Sequence, residues 1–233
     1  MSPETKMAVS RAHGEPGGLL RRVLALLLAA AAAGVGFVLF AAPAAPGLGA
    51  AVEAELARSG ADNPVTAVLL NFRGYDTLLE MAVLTTALFG VWALGTAPRV
   101  TESVPSPVLL GLNSVLIPLV PLICAYLLWV GATRAGGAFQ AGAVLAAASV
   151  LYILSGRRPH TPLPDTPMRW LVVIGLGMFL VVSFGVMGSG RRFLEYPVDL
   201  AGLLMLLVET AATLSIAMIL TGLFIGGRPE DEP

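Results

Sequence analysis

Apolar runs at residues 19–42, 78–95, 108–130, Ala138–Leu154, 170–187 and 200–225 leave this chain few ways to fold. A helix needs about 20 predominantly apolar residues to cross a bilayer, and these runs have that scale. The expected fold is therefore all-α, a polytopic membrane protein with about six transmembrane helices and little mass outside the bilayer. Composition agrees. With 56% hydrophobic residues, 12% charged residues and a mean hydropathy of +0.82, the chain is too apolar to be a soluble domain.

The same numbers exclude several function classes. A formal charge of −1 offers no basic surface for nucleic acid. The single cysteine, Cys124, lies inside an apolar run, so neither an internal disulfide nor a cysteine metal cluster can form. His13 and His160 fall in the N-terminal tail and in a loop, where solvated side chains are expected. No metal, no cofactor and no bond-making chemistry is expected.

Arg21-Arg22 precedes the first apolar run, and the small residues Ala41-Ala-Pro-Ala-Ala45 follow it, which has the look of a signal peptide. Signal h-regions are about 7–15 residues, and this run is longer, so a retained first helix is expected. Lys6, Arg11, Arg21, Arg22, Arg99, Arg157, Arg158, Arg169 and Arg228 then fall on one side of six spans. Arg58, Arg73, Arg134, Arg191 and Arg192 fall on the other, so both termini are expected in the cytoplasm. The outer pair Arg191-Arg192 runs against that rule. With Glu195 and Asp199, it reads as a solvated charged turn.

Residues 52–58 mix small apolar and charged residues and suggest a short surface helix. Asn63-Pro64 marks a turn, because a residue before proline avoids the helical region and proline suits a first helical position. Residues 65–71 then suggest a short helix before a break at Gly74, with Asp76 or Thr77 capping the second span. Pro118 and Pro121 should kink the third span or line a packed interior. In the fourth, Ala138, Gly142 and Ala146 form a small-residue stripe suited to close helix contact.

Charge entering a membrane segment is the functional lead. Arg73, Asp76 and Glu80 are spaced three and four apart, so on a helix they share one face. Intramembrane acids are paired, near the rim or on an ion path. Two carboxylates one turn apart in a partly dry site do not both ionise readily unless Arg73 neutralises them. The competing reading is a structural Arg73–Asp76 ion pair that moves nothing. Glu209 falls near the middle of the last run without a cation nearby in sequence, so it should face another helix or a neighbouring protein, as a route residue or a buried anchor.

Two motifs carry a resemblance. Asn71-Phe-Arg-Gly-Tyr-Asp-Thr-Leu-Leu-Glu80 resembles the D-F-R-G-F-D-T-L-G-E signature in the C-terminal part of the large A subunit of Mrp-type Na+/H+ antiporters, and a similar element in the E subunit of membrane-bound hydrogenases. Asn71 stands where the signature has its first acid, Tyr75 replaces Phe and Leu79 replaces Gly. Gly131-Ala-Thr-Arg-Ala-Gly-Gly-Ala-Phe-Gln-Ala-Gly142 resembles the G-H-N-x-P-G-G-G-F-Q-x-G element of the Mrp antiporter B subunit. Gly136, Gly137, Phe139, Gln140 and Gly142 match, and the family His, Asn and Pro become Ala132, Thr133 and Ala135.

The resemblance implies a B-type, non-catalytic subunit of a multisubunit Na+/H+ antiporter in the plasma membrane. The implied organisation is a mobile cytoplasmic tail at 1–18, a two-span element at 19–104, a four-span B-like domain at 105–227 and a tail at 228–233. Expected partners are other antiporter subunits, including large complex I-like ones, with membrane lipid, Na+ and H+. Asp76, Glu80 and Glu209 are the ion-route candidates, with Arg73 expected to support them and Gly136, Gly137, Phe139, Gln140 and Gly142 expected to serve subunit packing. Two rivals remain: a membrane-arm component of an energy-converting hydrogenase-like redox complex, and a purely structural adaptor.

Overall fold

The computed structural model describes residues 18–41, 47–95, 106–155 and 165–226, all helical or in short connections. The chain divides into two units, Met1–Leu48 and Gly49–Pro233. The first contains α1 (Gly18–Ala41). The second contains α2 (Gly49–Ser59), α3 (Pro64–Ala67), a π-turn (Val68–Phe72), α4 (Gly74–Ala93), α5 (Pro107–Val130), α6 (Ala138–Leu154), α7 (Asp165–Gly188) and α8 (Ala201–Ile225). The expected tails, His13, His160 and the Pro105 boundary lie outside the described residues.

Among the described residues, α1, α4, α5, α7 and α8 are long and apolar enough to cross a membrane. Five of the about six expected spans reach that length among the described residues, and the remaining one, α6, is apolar but shorter. Helix α6 has 17 residues, about 25 Å at a rise of about 1.5 Å per residue, the lower end of the roughly 17–25 residues that spanning helices use.

Helix α8 is the centre of the second unit, packing on α7, α6 and α4. It is buried by Val208, Ala211, Ala212, Ile216 and Ile219. Its partners approach closely because they carry glycine at the crossings. A Cβ on Gly175 of α7 would lie 2.8 Å from the Ser215 Cβ, and one on Gly142 of α6 would lie 2.8 Å from the Ile216 Cβ. The Ser215 hydroxyl donates to the Val172 carbonyl across the α7–α8 contact. The small-residue face of α6 is thus occupied within the chain. Helix α5 packs mainly on α6, where buried Asn113 donates to the Leu151 carbonyl at 2.9 Å and Cys124 to Ala141 at 3.3 Å.

Pro118 and Pro121 interrupt neither the length nor the assignment of α5. Both are exposed, and Pro121 borders a shallow apolar cleft with Cys124, Leu145 and Thr213. The C-terminal glycine behaves as a helix stop: Gly226 adopts φ 78° and donates to the Gly222 carbonyl.

Candidate functional site

The break near Gly74 has a different origin from a simple cap. Asn63 caps α3, its side chain accepting from the Val65 N–H at 3.1 Å, with Pro64 in the first turn. The chain then winds one residue too wide. Arg73 N–H donates to Val68 O at 2.8 Å, the five-residue spacing of a π-turn. Arg73 leaves the helical region at φ −127°, ψ 33°, and α4 starts at Gly74 with no side-chain cap.

Asp76 and Thr77 therefore do not cap the second span, as the sequence suggested. Asp76 sits in the first turn of α4. The Thr77 hydroxyl donates back to the Leu69 carbonyl at 2.6 Å, across the break. Asn71, where the related signature has an acid, donates to Ser59 O at 2.8 Å and ties the π-turn to the end of α2. Gly74 and Tyr75 face the connection before α8, where Leu194 packs over Gly74 and Phe193 stacks on Tyr75 at 5.4 Å.

The three charges of the first motif separate. Arg73 and Asp76 form an ion pair with side chains 64% and 44% exposed, so it is a solvated bridge worth little to stability. Glu80, one turn further along α4, has no hydrogen bond or ion pair among the described residues. It lines a cavity of about 290 Å3 together with Thr66, Leu69, Thr77, Gly137, Gln140 and Glu209. Asp76 does not reach that cavity.

Glu209 is 7% exposed. Its carboxyl lies against the backbone N–H of Ala138, the first residue of α6. A helix N-terminus carries unpaired N–H groups and a partial positive charge, so it is a fitting partner for an acid withdrawn from water. Gly137 makes the approach possible. It adopts φ 106°, and a Cβ there would lie 2.9 Å from Glu209 Oε1 and 3.8 Å from Gln140 Oε1. Gly136 is equally confined, since its Cβ would meet the Leu127 carbonyl at 2.4 Å. These glycines let loop 131–137 fold beneath the acid, and Phe139 and Gln140 complete the cavity wall.

Sequence reasoning missed what holds that loop. Asn63 Nδ2 donates to Arg134 O at 2.7 Å and Gly131 O at 3.2 Å. Thr66 Oγ1 donates to Gly131 O at 2.6 Å. The backbone N–H groups of Asp62 and Asn63 both donate to Ala132 O, at 3.1 and 3.0 Å. The start of α3 is thus latched to the loop that presents α6 to Glu209, and through the π-turn it also sets the start of α4. Asn63-Pro64 signalled a turn, but the spacing of the two segments along the chain hid the contact.

Residues 108–227, more than half of the chain, match the model of a domain related to the MnhB subunit of Na+/H+ antiporters. The chain belongs to this family. Residues 20–108 match the model of the E subunit of MBH. Two solved structures share the fold of the MnhB-related chain. One is a chain of the Mrp complex from Dietzia sp. DQ12-45-1b, at 20% identity and a TM-score of 0.65, covering 92% of this chain and 26% of that one. The other is a chain of the membrane-bound sulfane sulfur reductase (MBS), an archaeal respiratory membrane complex, at 24% identity and a TM-score of 0.65, covering 89% and 97%. The MnhB-related chain spans about a quarter of the Dietzia chain's length. No curated protein sequence matches it significantly. It is a polytopic membrane subunit related to those of antiporter and hydrogenase-like complexes. Among the described residues, no group of three or more His, Cys, Asp or Glu is placed to hold a metal.

Proposed function

We propose that the chain is a B-type subunit of a multisubunit monovalent cation (Na+)/proton antiporter in the plasma membrane, and that Glu80 and Glu209 contribute carboxylates to its ion route. One observation carries this reading: the two acids line a single cavity, one from the segment that matches the MBH family model and one from the MnhB-related segment. A carboxyl that exchanges its proton with a wet cavity can relay a proton or bind a cation. Asp76, held by Arg73, shapes the approach to the cavity. Both termini are cytoplasmic, the pieces are organised as 1–18, 19–104, 105–227 and 228–233, and the partners are the other antiporter subunits.

The test is cation-induced dissipation of a pH gradient in everted membrane vesicles. Glu209→Gln and Glu80→Gln should assemble at normal levels yet reduce antiport at least tenfold. Full transport by either stable variant removes that acid from the route. A second reading makes the chain a membrane-arm component of a redox-driven complex. It is favoured by the match to the MBH family model and by the likeness to the archaeal respiratory chain. Mass spectrometry of the purified complex separates them: antiporter-like subunits alone support the first, and iron–sulfur subunits beside them support the second.

A further inference from the structure

We propose that the open side of the Glu80–Glu209 cavity is a docking face for a transmembrane helix of a different subunit, one that sets a basic side chain against Glu80. This rests on the reading of the chain as one subunit of a complex. The cavity has a closed floor and an open mouth. Phe179, Val208, Ala212 and Glu209 are buried, at 0%, 0%, 3% and 7% exposure. Val65 and Leu69 are 61% and 39% exposed at the rim, and Glu80 and Gln140 are exposed beside them.

Glu80 lies about 9 Å along α4 from Gly74, at a rise of about 1.5 Å per residue. Leu79 and Val83, 61% and 67% exposed, flank it on the same helix. The surroundings are thus those of a membrane-facing helix with a carboxylate set into it. Lipid chains satisfy Leu79 and Val83 but offer Glu80 neither a counter-charge nor a proton donor, and an uncompensated acid at such a position is costly.

Among the described residues, nothing at the cavity answers this charge. Arg73 is engaged by Asp76, and Arg58 by Glu55. The hydroxyls of Thr66 and Thr77 are spent on the carbonyls of Gly131 and Leu69. No cation lines the cavity. An exposed acid at the mouth, a second acid on the floor and no base beside either call for a partner with a Lys, Arg or His at the level of Glu80. Apolar Val65, Leu69, Leu79 and Val83 around Glu80 call for a helix rather than a solvated loop.

The test uses the intact complex, with the photoreactive residue p-benzoylphenylalanine placed at Leu69, and for comparison at Val181, which is 68% exposed on α7 and outside the cavity. After irradiation in membranes, adducts are mapped by mass spectrometry. The Leu69 adduct is expected on a membrane segment of another subunit that carries Lys, Arg or His within one helical turn. Adducts only on lipid, on α1, on a second copy of this chain, or on a helix without a base would overturn the proposal. With the base located, Glu80→Lys should lower antiport at least tenfold, and reversal of the partner base to Glu should restore at least half of it. If Glu80→Lys fails to assemble, Glu80→Gln and the partner's base→Gln should have a combined effect no larger than either alone. Independent, multiplying losses would overturn the pairing. The cross-link reads the surface without transport. A basic partner helix at Leu69 with full antiport in Glu80→Gln defeats the ion-route reading and leaves the docking face standing, and lipid adducts with antiport lost do the reverse.

Discussion

Helix α4 takes its N-terminal acid from its own first turn, whereas α6 takes its acid from Glu209, on a helix far along the chain. Asp76 is partly exposed and bridged to Arg73. Glu209 is buried, set against the Ala138 N–H and enclosed by Gly137. Both are acids at helix starts, where the helix dipole favours them. The difference teaches that a local acid can be exchanged cheaply, because water replaces what it loses. A remote buried acid is tied to the backbone conformation, to a glycine and to a latch on a third element, so each of these should fail together.

The sharpest way to break that contrast is at Gly137. Gly137→Ala places a Cβ at φ 106° and 2.9 Å from Glu209 Oε1. It should cost about 1–3 kcal/mol from strain and crowding, read as a lowered unfolding temperature in detergent, and antiport should fall with it. The equivalent Gly74→Ala at the start of α4 should be milder, since its nearest contact is the flexible Leu194 Cδ1 at 3.4 Å. An equal loss at both sites would erase the distinction.

Asn63→Ala should come next. It removes the α3 cap and leaves the Arg134 carbonyl without its side-chain donor, a loss of about 1–2 kcal/mol. Antiport should drop further than this stability loss explains, because the loop beneath Glu209 is released. Asn63→Asp keeps the cap acceptor but not the donors, so it should recover the stability of α3 and not the transport. Limited proteolysis of loop 131–137, together with vesicle antiport, distinguishes the two effects.

The smallest effect is expected at the exposed pair. Asp76→Asn should change stability by less than about 1 kcal/mol, and the difference from the parent should shrink as salt is raised. A large loss of antiport with unchanged stability would move Asp76 from the approach into the route itself.

Much of this contrast was legible residue by residue. The Arg73–Asp76 pair follows from a spacing of three, and the turn at Asn63-Pro64 from the residue before proline, whereas the cap that Asn63 provides shows only in the fold. The surface helix expected over 52–58 from its mixed composition is present as Gly49–Ser59. The π-turn was not legible, since one extra residue per turn leaves no compositional mark. It displaces the expected cap and turns Thr77 back onto Leu69. Helix α6 is shorter than the other five apolar helices because it begins only after the Gly137 reversal and ends at Leu154.

The sequence by itself determined that this is an all-helical membrane protein and that Glu209 sits within an apolar helix, because hydropathy and composition are sums over neighbouring residues. Only the tertiary structure decided that Glu209 faces the start of α6 and shares a cavity with Glu80. That contact depends on how α8 is rotated about its own axis. A helix apolar on every side carries no stripe to say which face turns inward, so the glycine crossings at Gly142 and Gly175 and the Asn63 latch had to choose it.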